Sequence, residues 1–297
     1  MARIAAALSQ GPPAYPHHVD PVRVNRERPA FDVRRPAAFF DLDKTIIAKS
    51  SVMAFGRPFY QGGLINRRAI LKSTYAQFMY LVGGADHDQM ERMRAYLSQL
   101  CKGWDVAQVK AIVAETLHEL IDPVIYEEAA ALIDEHQAAG RDVVIVSSSG
   151  LEVVEPIGHL LGADHVVATR MVVKNGRFTG DIEYYAYGPA KAAAVVDLAR
   201  DEGYDLEESF AYSDSSTDLP MLEAVGHPCA VNPDRALRKE AIAREWPILD
   251  FTNPVSLRAR MGLAGPRTPV FAAAGLGAGV AAAGLVWYAR HRGRADA

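Results

Sequence analysis

A short apolar run that ends in two carboxylates one residue apart constrains this chain more than any other feature. Residues 39–45 read Phe-Phe-Asp-Leu-Asp-Lys-Thr, so Asp41 and Asp43 follow the apolar run directly. If the run is a buried strand, both carboxylates emerge at its carboxyl end, where open α/β sheets place their ligands. Taken alone the pattern is weak, because Asp is also favoured in turns and at helix caps.

Two later segments carry polar side chains next to a predicted element. Residues 142–146 form a β-rich run that opens into three serines beginning at Ser147, which predicts a strand, a polar loop and then a helix. Residues 188–199 predict a helix with Pro in its first turn and Lys191 close behind it. Each segment also has an ordinary interpretation, since the serines fit a solvated loop and the lysine fits a helix surface.

A third segment repeats the combination of an apolar strand and a carboxylate. Residues 209–212 predict a strand that leads into Asp214 and Asp218. These two side chains could simply cap the following helix. Chance alone would rarely place polar side chains of complementary chemistry at the ends of successive predicted strands. Together the segments therefore indicate a functional site.

The chemistry that this set supports is phosphoryl transfer. Asp41 would attack phosphorus and form an aspartyl-phosphate. Asp43 is placed to protonate the leaving oxygen and later to take a proton from water. Ser147 would donate a hydrogen bond to a phosphoryl oxygen, and Lys191 would add positive charge near a helix N-terminus.

A metal ion is also expected, because a phosphomonoester dianion repels a carboxylate nucleophile. Mg²⁺ is usually bound by one or two carboxylates together with phosphate and water oxygens. Asp214 would complete the metal site that Asp41 begins. Asp218, one helical turn further on, would support the metal or its waters.

Together these motifs resemble the haloacid dehalogenase superfamily, in the subfamily IB branch that includes phosphoserine phosphatase. The resemblance covers roughly residues 35–255. It implies an α/β fold, a Rossmann-like parallel sheet with a helical cap inserted between the first and second motifs. On this basis residues 35–50 and 123–255 form the core, and residues 51–122 form the cap.

The resemblance also implies a role for each site residue. Asp41 is the nucleophile, and Asp43 is the acid/base whose main-chain carbonyl ligates the metal. Asp214 is the metal carboxylate. The phosphate-binding residues are Ser147, Lys191 and Thr45, whose hydroxyl helps to order the loop. With Asp218 added, the predicted metal-binding residues are Asp41, Asp43, Asp214 and Asp218.

The sequence of the inserted segment fits a cap made of helices. Apolar residues recur at helical spacing over residues 64–82, and further helices are predicted over residues 89–100 and 106–120. Most aromatic and Met side chains here would fill a small core, while a few near Met53, Phe55 and Phe59 could face substrate. After the second motif, residues 171–178 predict a hairpin with a tight Asn-Gly turn.

Composition excludes some classes of function. A formal net charge of −4 over 297 residues argues against nucleic acid as the main partner. The chain is long enough for an α/β core and a cap. Its two cysteines form no disulfide framework pattern and fit a reducing compartment.

The two ends differ from the middle of the chain. Residues 1–34 are rich in Pro, Arg and Ala and predict a disordered arm. Residues 270–289 contain no charged side chain and would span about 30 Å as a helix, which matches a bilayer core. We expect a single-pass C-terminal membrane anchor with the catalytic domain in the cytoplasm. A surface-lying or buried helix remains open, because Ala and Gly dominate the run.

The substrate is less well defined by the sequence. Phosphoserine phosphatases carry a Glu about nine residues beyond the nucleophile to bind the substrate's amino group, and that position falls near Ser50. Between Asp43 and Asp86 there is no carboxylate. Ser148 and Ser149 replace the two glycines that usually follow the second-motif serine. The stretch between Asp43 and Asp86 carries six cations, namely Lys44, Lys49, Arg57, Arg67, Arg68 and Lys72.

Three functions are therefore compatible with the sequence. The chain is expected to be a Mg²⁺-dependent phosphomonoester hydrolase that acts on a small substrate. Alternatively it is a membrane-anchored phosphatase of lipid phosphates, since the cations and the tail suit an anionic lipid surface. A catalytically silent scaffold is favoured least, because a chemically competent residue fills every catalytic position.

Overall fold

The computed structural model describes residues 21–24, 35–65 and 98–254. Contacts divide the chain into one unit spanning residues 1–257 and another spanning residues 258–297, and every described residue belongs to the first. The strands are β1 (Val22–Arg23), β2 (Ala37–Phe40), β3 (Asp142–Gly150), β4 (His165–Lys174), β5 (Arg177–Tyr184), β6 (Phe210–Ser213), β7 (His227–Val231) and β8 (Ile248–Leu249). The α-helices are α1 (Ser51–Ala54), α2 (Gly56–Gln61), α3 (Val106–Leu120), α4 (Glu127–Ala138), α5 (Leu151–Leu161), α6 (Pro189–Glu202), α7 (Leu219–Glu223) and α8 (Arg235–Ala243).

A mostly parallel sheet forms the centre of the fold. Its strands lie in the order β1-β4-β3-β2-β6-β7-β8, and β5 pairs with β4. β2 pairs in parallel with β3 on one side and with β6 on the other, so the direction of the strand order reverses at β2. Such a reversal opens a crevice at the carboxyl ends of the strands. The predicted α/β class with a Rossmann-like sheet is confirmed.

Alternate side chains of each strand enter separate hydrophobic clusters on the two faces of the sheet. Phe40 and Ile145 join the cluster packed by α3, α4 and α5. Phe39 and Val144 join the cluster packed by α6, α7 and α8. Because helices cover both faces, β2 is apolar at every position, as is typical of buried parallel strands. This explains why the run before Asp41 shows no alternation.

The part of the inserted segment that the structure describes is helical. α3 has the bounds predicted from the sequence and buries Val109, Val113 and Leu117 at four-residue spacing. Most of the predicted helices over residues 64–82 and 89–100 lies outside the described residues.

Two side chains of the inserted segment differ from expectation. Phe55 and Phe59 do not face a substrate space but are buried in the core, where the Phe59 ring lies 5.5 Å from the Trp104 ring. Their aromatic area favours burial over exposure at the site. Met53, in contrast, is 52% exposed.

The serines after residue 146 form a strand and not the predicted polar loop. β3 continues to Gly150 because its pairing with β4 continues, with a register shift between Ser147 and Gly150. The predicted hairpin is confirmed, since β4 and β5 are joined by Asn175 and Gly176, both at positive φ.

Part of the predicted disordered arm is a strand. β1 pairs antiparallel with β4, and the Val24 side chain packs against the core. The valines of this short segment suit a strand at the edge of a sheet. The composition of the whole arm, rich in Pro, Arg and Ala, gives no sign of this strand. Within residues 21–24, 35–65 and 98–254, no helix is long and apolar enough to span a membrane. The predicted anchor at residues 270–289 lies outside these ranges.

Candidate active site

Asp41 lies at the carboxyl end of β2, in the crevice where the strand order reverses. Its N–H donates to the Tyr212 carbonyl at 2.9 Å and extends the pairing of β2 with β6. The chain then turns sharply, because Lys44 has a φ of 65° and donates its N–H to the Ile47 carbonyl at 2.6 Å. A left-handed backbone is uncommon outside glycine, so the fold holds this turn in a defined shape.

Lys191 is buried in an ion-pair triad and does not lie on a helix surface. Its Nζ donates to Asp41 Oδ1 at 2.6 Å and to Asp218 Oδ2 at 2.7 Å. Ser213 Oγ donates to the same Asp218 oxygen at 2.8 Å. The carboxylate of Asp218 therefore orients the lysine and does not cap α7.

The triad keeps the lysine charged. Burial alone would lower the pKa of the Lys191 ammonium, but the carboxylates of Asp218 and Asp41 outweigh burial and raise it. A permanently charged ammonium beside Asp41 is suited to binding a phosphoryl oxygen.

The carboxylate of Asp43 is held on both oxygens. The Ser51 N–H donates to Oδ1 at 2.7 Å, and Ser149 Oγ donates to Oδ2 at 2.9 Å. Burial raises the pKa of Asp43, and the hydrogen bonds from the two serines oppose that shift. A raised pKa suits a carboxyl group that must be able to give up and recover a proton.

The two predicted hydroxyl groups belong to buried residues, Ser147 and Thr45. Ser147 is buried, and its Oγ accepts the Ser149 N–H at 3.2 Å, so its own proton can be donated to another acceptor. Thr45 Oγ1 lies 3.5 Å from Asp41 Oδ2, at the limit of a hydrogen bond.

Asp214 follows β6 directly, and its loop is tied to the next one. Its carbonyl accepts the Asp234 N–H at 2.7 Å, and the Asp234 carboxylate accepts from the N–H groups of Ser216 and Leu237. The structure thus brings together Asp41, Lys191 and Asp218 by direct contact and places Asp214 close enough to interact with them electrostatically.

Comparison with known proteins shows the family of the chain. Residues 38–223, more than half of the chain, match the haloacid dehalogenase-like hydrolase family. The chain belongs to this family.

Several curated relatives are similar over most of their length. A Streptomyces azureus protein named inhibition of morphological differentiation protein is 70% identical over 261 residues, covering 87% of this chain and 94% of the relative. A Mycobacterium tuberculosis protein named probable phosphatase is 59% identical over 255 residues, covering 86% and 88%. A phosphoserine phosphatase of the same organism is 34% identical over 248 residues, covering 83% and 80%. The chain is accordingly a phosphatase of the haloacid dehalogenase family.

A solved structure supports the fold. Substrate-bound phosphoserine phosphatase superposes with a TM-score of 0.54 at 22% identity, covering 79% of this chain and all of the other. At this identity the likeness concerns the haloacid dehalogenase fold alone.

The charge balance of this haloacid dehalogenase site fits a divalent cation. Three carboxylates, those of Asp41, Asp214 and Asp218, interact electrostatically with Lys191, and Asp214 also interacts with Lys44. Burial, opposed by Lys191 but reinforced by Asp218 and Asp214, raises the pKa of Asp41 to about 8. Burial also raises the pKa of Asp214 to about 7, against a partly compensating Lys44. Such an excess of negative charge is what a bound cation would offset.

Two of the four predicted metal-binding residues have carboxylates that bond other groups. Across the described ranges, no group of three or more His, Cys, Asp or Glu is arranged to hold a metal ion. Asp43 bonds Ser51 and Ser149, while Asp218 bonds Lys191 and Ser213. A cation would thus use Asp41 and Asp214 and complete its shell with carbonyl, phosphate and water oxygens, as Mg²⁺ usually does.

Three serines support the site residues of this haloacid dehalogenase fold, and the sequence carries no signal for these contacts. Ser51 and Ser149 hold Asp43, and Ser213 holds Asp218. Ser213 sits directly before Asp214, and Ser149 is the last of the three serines that begin at Ser147. A single serine gives no periodic signal, so its contacts follow only from the fold.

Proposed function

We propose that the chain hydrolyses phosphomonoesters through an aspartyl-phosphate on Asp41, with Mg²⁺ as its metal. The observation that carries the proposal is the 2.6 Å contact between Asp41 and the buried Lys191. It sets a strand-end carboxylate against a cation that suits a phosphoryl oxygen. The next carboxyl group along the chain, that of Asp43, is oriented by hydrogen bonds for proton transfer.

In the first step, an Asp41 carboxylate oxygen attacks phosphorus. The bond from phosphorus to the leaving oxygen breaks, and that oxygen keeps the electron pair and takes a proton from Asp43. Lys191 and Ser147 stabilise the phosphoryl oxygens through charge and hydrogen bonding. When bound by Asp41 and Asp214, Mg²⁺ would supply the charge neutralisation that allows a carboxylate to approach a dianion.

In the second step, water attacks the same phosphorus and passes a proton to Asp43. The bond between phosphorus and Asp41 breaks, which releases inorganic phosphate and restores the Asp41 carboxylate. Both carboxyl groups then have their starting protonation. Asp43 thus serves as acid in the first step and as base in the second.

For the substrate class, we propose a phosphomonoester that is more anionic than phosphoserine or that carries a lipid body. Ser50 stands where phosphoserine phosphatases have a Glu for the amino group. Lys44, Lys49 and Arg57, which lie within seven positions of α1 in the sequence, are exposed, and the other three cations between Asp43 and Asp86 lie outside the described residues. Positive charge near a dianion favours anionic groups and offers nothing to an ammonium.

A substrate panel tests this proposal. We expect kcat/KM for phosphoserine to fall below the values for phosphomonoesters that carry extra negative charge or a lipid body, measured under the same conditions. A clear preference for phosphoserine would contradict the proposal, and would indicate that an acid such as Asp86 or Asp88 binds the amino group.

A membrane-anchored lipid-phosphate phosphatase is the second candidate. The charge-free run at residues 270–289 and the cations of the cap favour it, because both suit an anionic lipid surface. In that case lipid phosphates in vesicles would be the best substrates of the panel.

A further inference from the structure

Two serine side chains and one main-chain N–H form a connected support behind Asp43. Ser51 N–H and Ser149 Oγ bond the two oxygens of the Asp43 carboxylate, at 2.7 Å and 2.9 Å. Ser51 Oγ donates to Ser149 Oγ at 2.9 Å. Ser51 is fully buried and Ser149 is 5% exposed, so bulk water does not compete for these bonds.

The direction of the hydrogen bonds follows from the number of protons available. A serine hydroxyl has one proton and two acceptor lone pairs. Because Ser149 accepts the proton of Ser51, it gives its own proton to Asp43. Hydroxyl groups in series polarise one another, so Ser51 strengthens the bond that Ser149 makes. The support therefore acts as one unit.

The local backbone explains why Ser149 can reach Asp43. The register shift between Ser147 and Gly150 lies in β3, next to β2 and its catalytic loop. Bulged strands commonly redirect a side chain at a functional site. Glycine, which phosphoserine phosphatases usually have at this position, provides no hydroxyl.

We infer that Ser149, reinforced by Ser51, is a positioning residue that holds the Asp43 carboxyl group in the orientation from which it protonates the leaving oxygen. The inference rests on the proposed function, which assigns this proton transfer to Asp43. Proton transfer requires hydrogen-bond reach and alignment, and a carboxyl group without its lateral bonds rotates. The loss of kcat/KM when Ser149 is replaced should therefore depend on how much the leaving group needs a proton.

Two substrates separate this role from a general structural one. p-Nitrophenyl phosphate releases a stable phenolate that needs no proton, whereas glycerol 3-phosphate releases an alkoxide that does. kcat/KM reports the steps up to phosphoryl transfer. For Ser149→Ala we expect kcat/KM to fall about tenfold or more with glycerol 3-phosphate and by less than about twofold with p-nitrophenyl phosphate. An equal loss with both substrates would overturn the inference.

Matched variants complete the experiment. Ser148→Ala is the same change at the neighbouring exposed serine, and it should leave the ratio of the two kcat/KM values unchanged. Ser51→Ala removes only the outer hydroxyl and should give a smaller loss with the same dependence on the leaving group. If Ser149→Ala does not fold, Ser51→Ala decides, and an unchanged ratio in that variant overturns the inference.

The Asp43→Asn variant tests the proton transfer assigned to Asp43 separately from the positioning role of Ser149. If Asp43→Asn lowers kcat/KM equally for both substrates, the proton transfer assigned to Asp43 is wrong and the proposed mechanism fails. If Asp43→Asn loses activity selectively with glycerol 3-phosphate while the serine variants do not, only the positioning role fails.

Discussion

Replacing Lys191 by Met removes an ammonium that two buried carboxylates share and keeps the approximate length of the side chain. Asp41 and Asp218 each lie within 2.7 Å of Nζ, and none of the three residues is more than 6% exposed. Removing one partner of a buried ion pair costs about 3–5 kcal/mol, because the other charge is left uncompensated. Here two like charges remain together, so we expect the free energy of unfolding to fall by about 5 kcal/mol.

Urea denaturation of the chelator-treated protein, followed by circular dichroism, measures this loss. Lys110→Met is the matched control, because its Nζ lies 4.0 Å from Glu155 and its side chain is 56% exposed. An exposed ion pair contributes at most about 1 kcal/mol. Turnover should fall at least about 100-fold in Lys191→Met and stay unchanged in the control. Similar unfolding free energies for the two variants would refute the buried triad.

Three further outcomes are expected. Activity should vanish in chelator and return with Mg²⁺, and Asp214→Ala should raise the Mg²⁺ requirement or abolish activity; undiminished turnover after chelation would show that the metal site is misassigned. Burial, helped by the Arg141 charge, lowers the pKa of His136 from 6.5 to about 4, so between these two pH values the unfolded chain binds a proton that the folded chain does not. That contribution to stability is present above pH 6.5 and is lost as the pH falls, by about 2 kcal/mol between pH 7 and pH 5, and the same pH dependence of urea denaturation in His136→Gln would contradict it. If residues 270–289 span a bilayer, the full-length protein should sediment with membranes and resist carbonate extraction, while a chain ending near residue 265 should be soluble and active on small phosphate esters; recovery of the full-length protein in the soluble fraction would remove the anchor.

The central residues of the site could be predicted because they follow strands that are easy to recognise. Asp41 and Asp214 come after buried parallel strands, whose apolar runs are continuous, and Lys191 lies in the first turn of a helix with Pro before it. Strand ends of a parallel sheet meet at one edge, so chain order alone brings these residues together.

The contacts between these residues could not be predicted in the same way. Ser149 contacts Asp43, which lies 106 positions away in the sequence. The contact forms because β3 is an irregular strand at the position where a loop was predicted. β1 becomes a strand only because the edge of β4 is available to pair with it. Both depend on tertiary pairing, which local propensity does not encode.

The most direct test of the central claim is to identify the phosphorylated residue during turnover. Enzyme mixed with p-nitrophenyl phosphate and Mg²⁺ is quenched in acid, digested and examined by mass spectrometry. We predict a phosphoryl group on Asp41 in the wild-type protein. In Asp41→Asn we predict neither phosphorylation nor turnover, with the circular dichroism spectrum unchanged, since the amide is nearly isosteric but cannot act as the nucleophile. A phosphoryl group on another residue, or turnover by Asp41→Asn within about tenfold of wild type, would contradict the assignment.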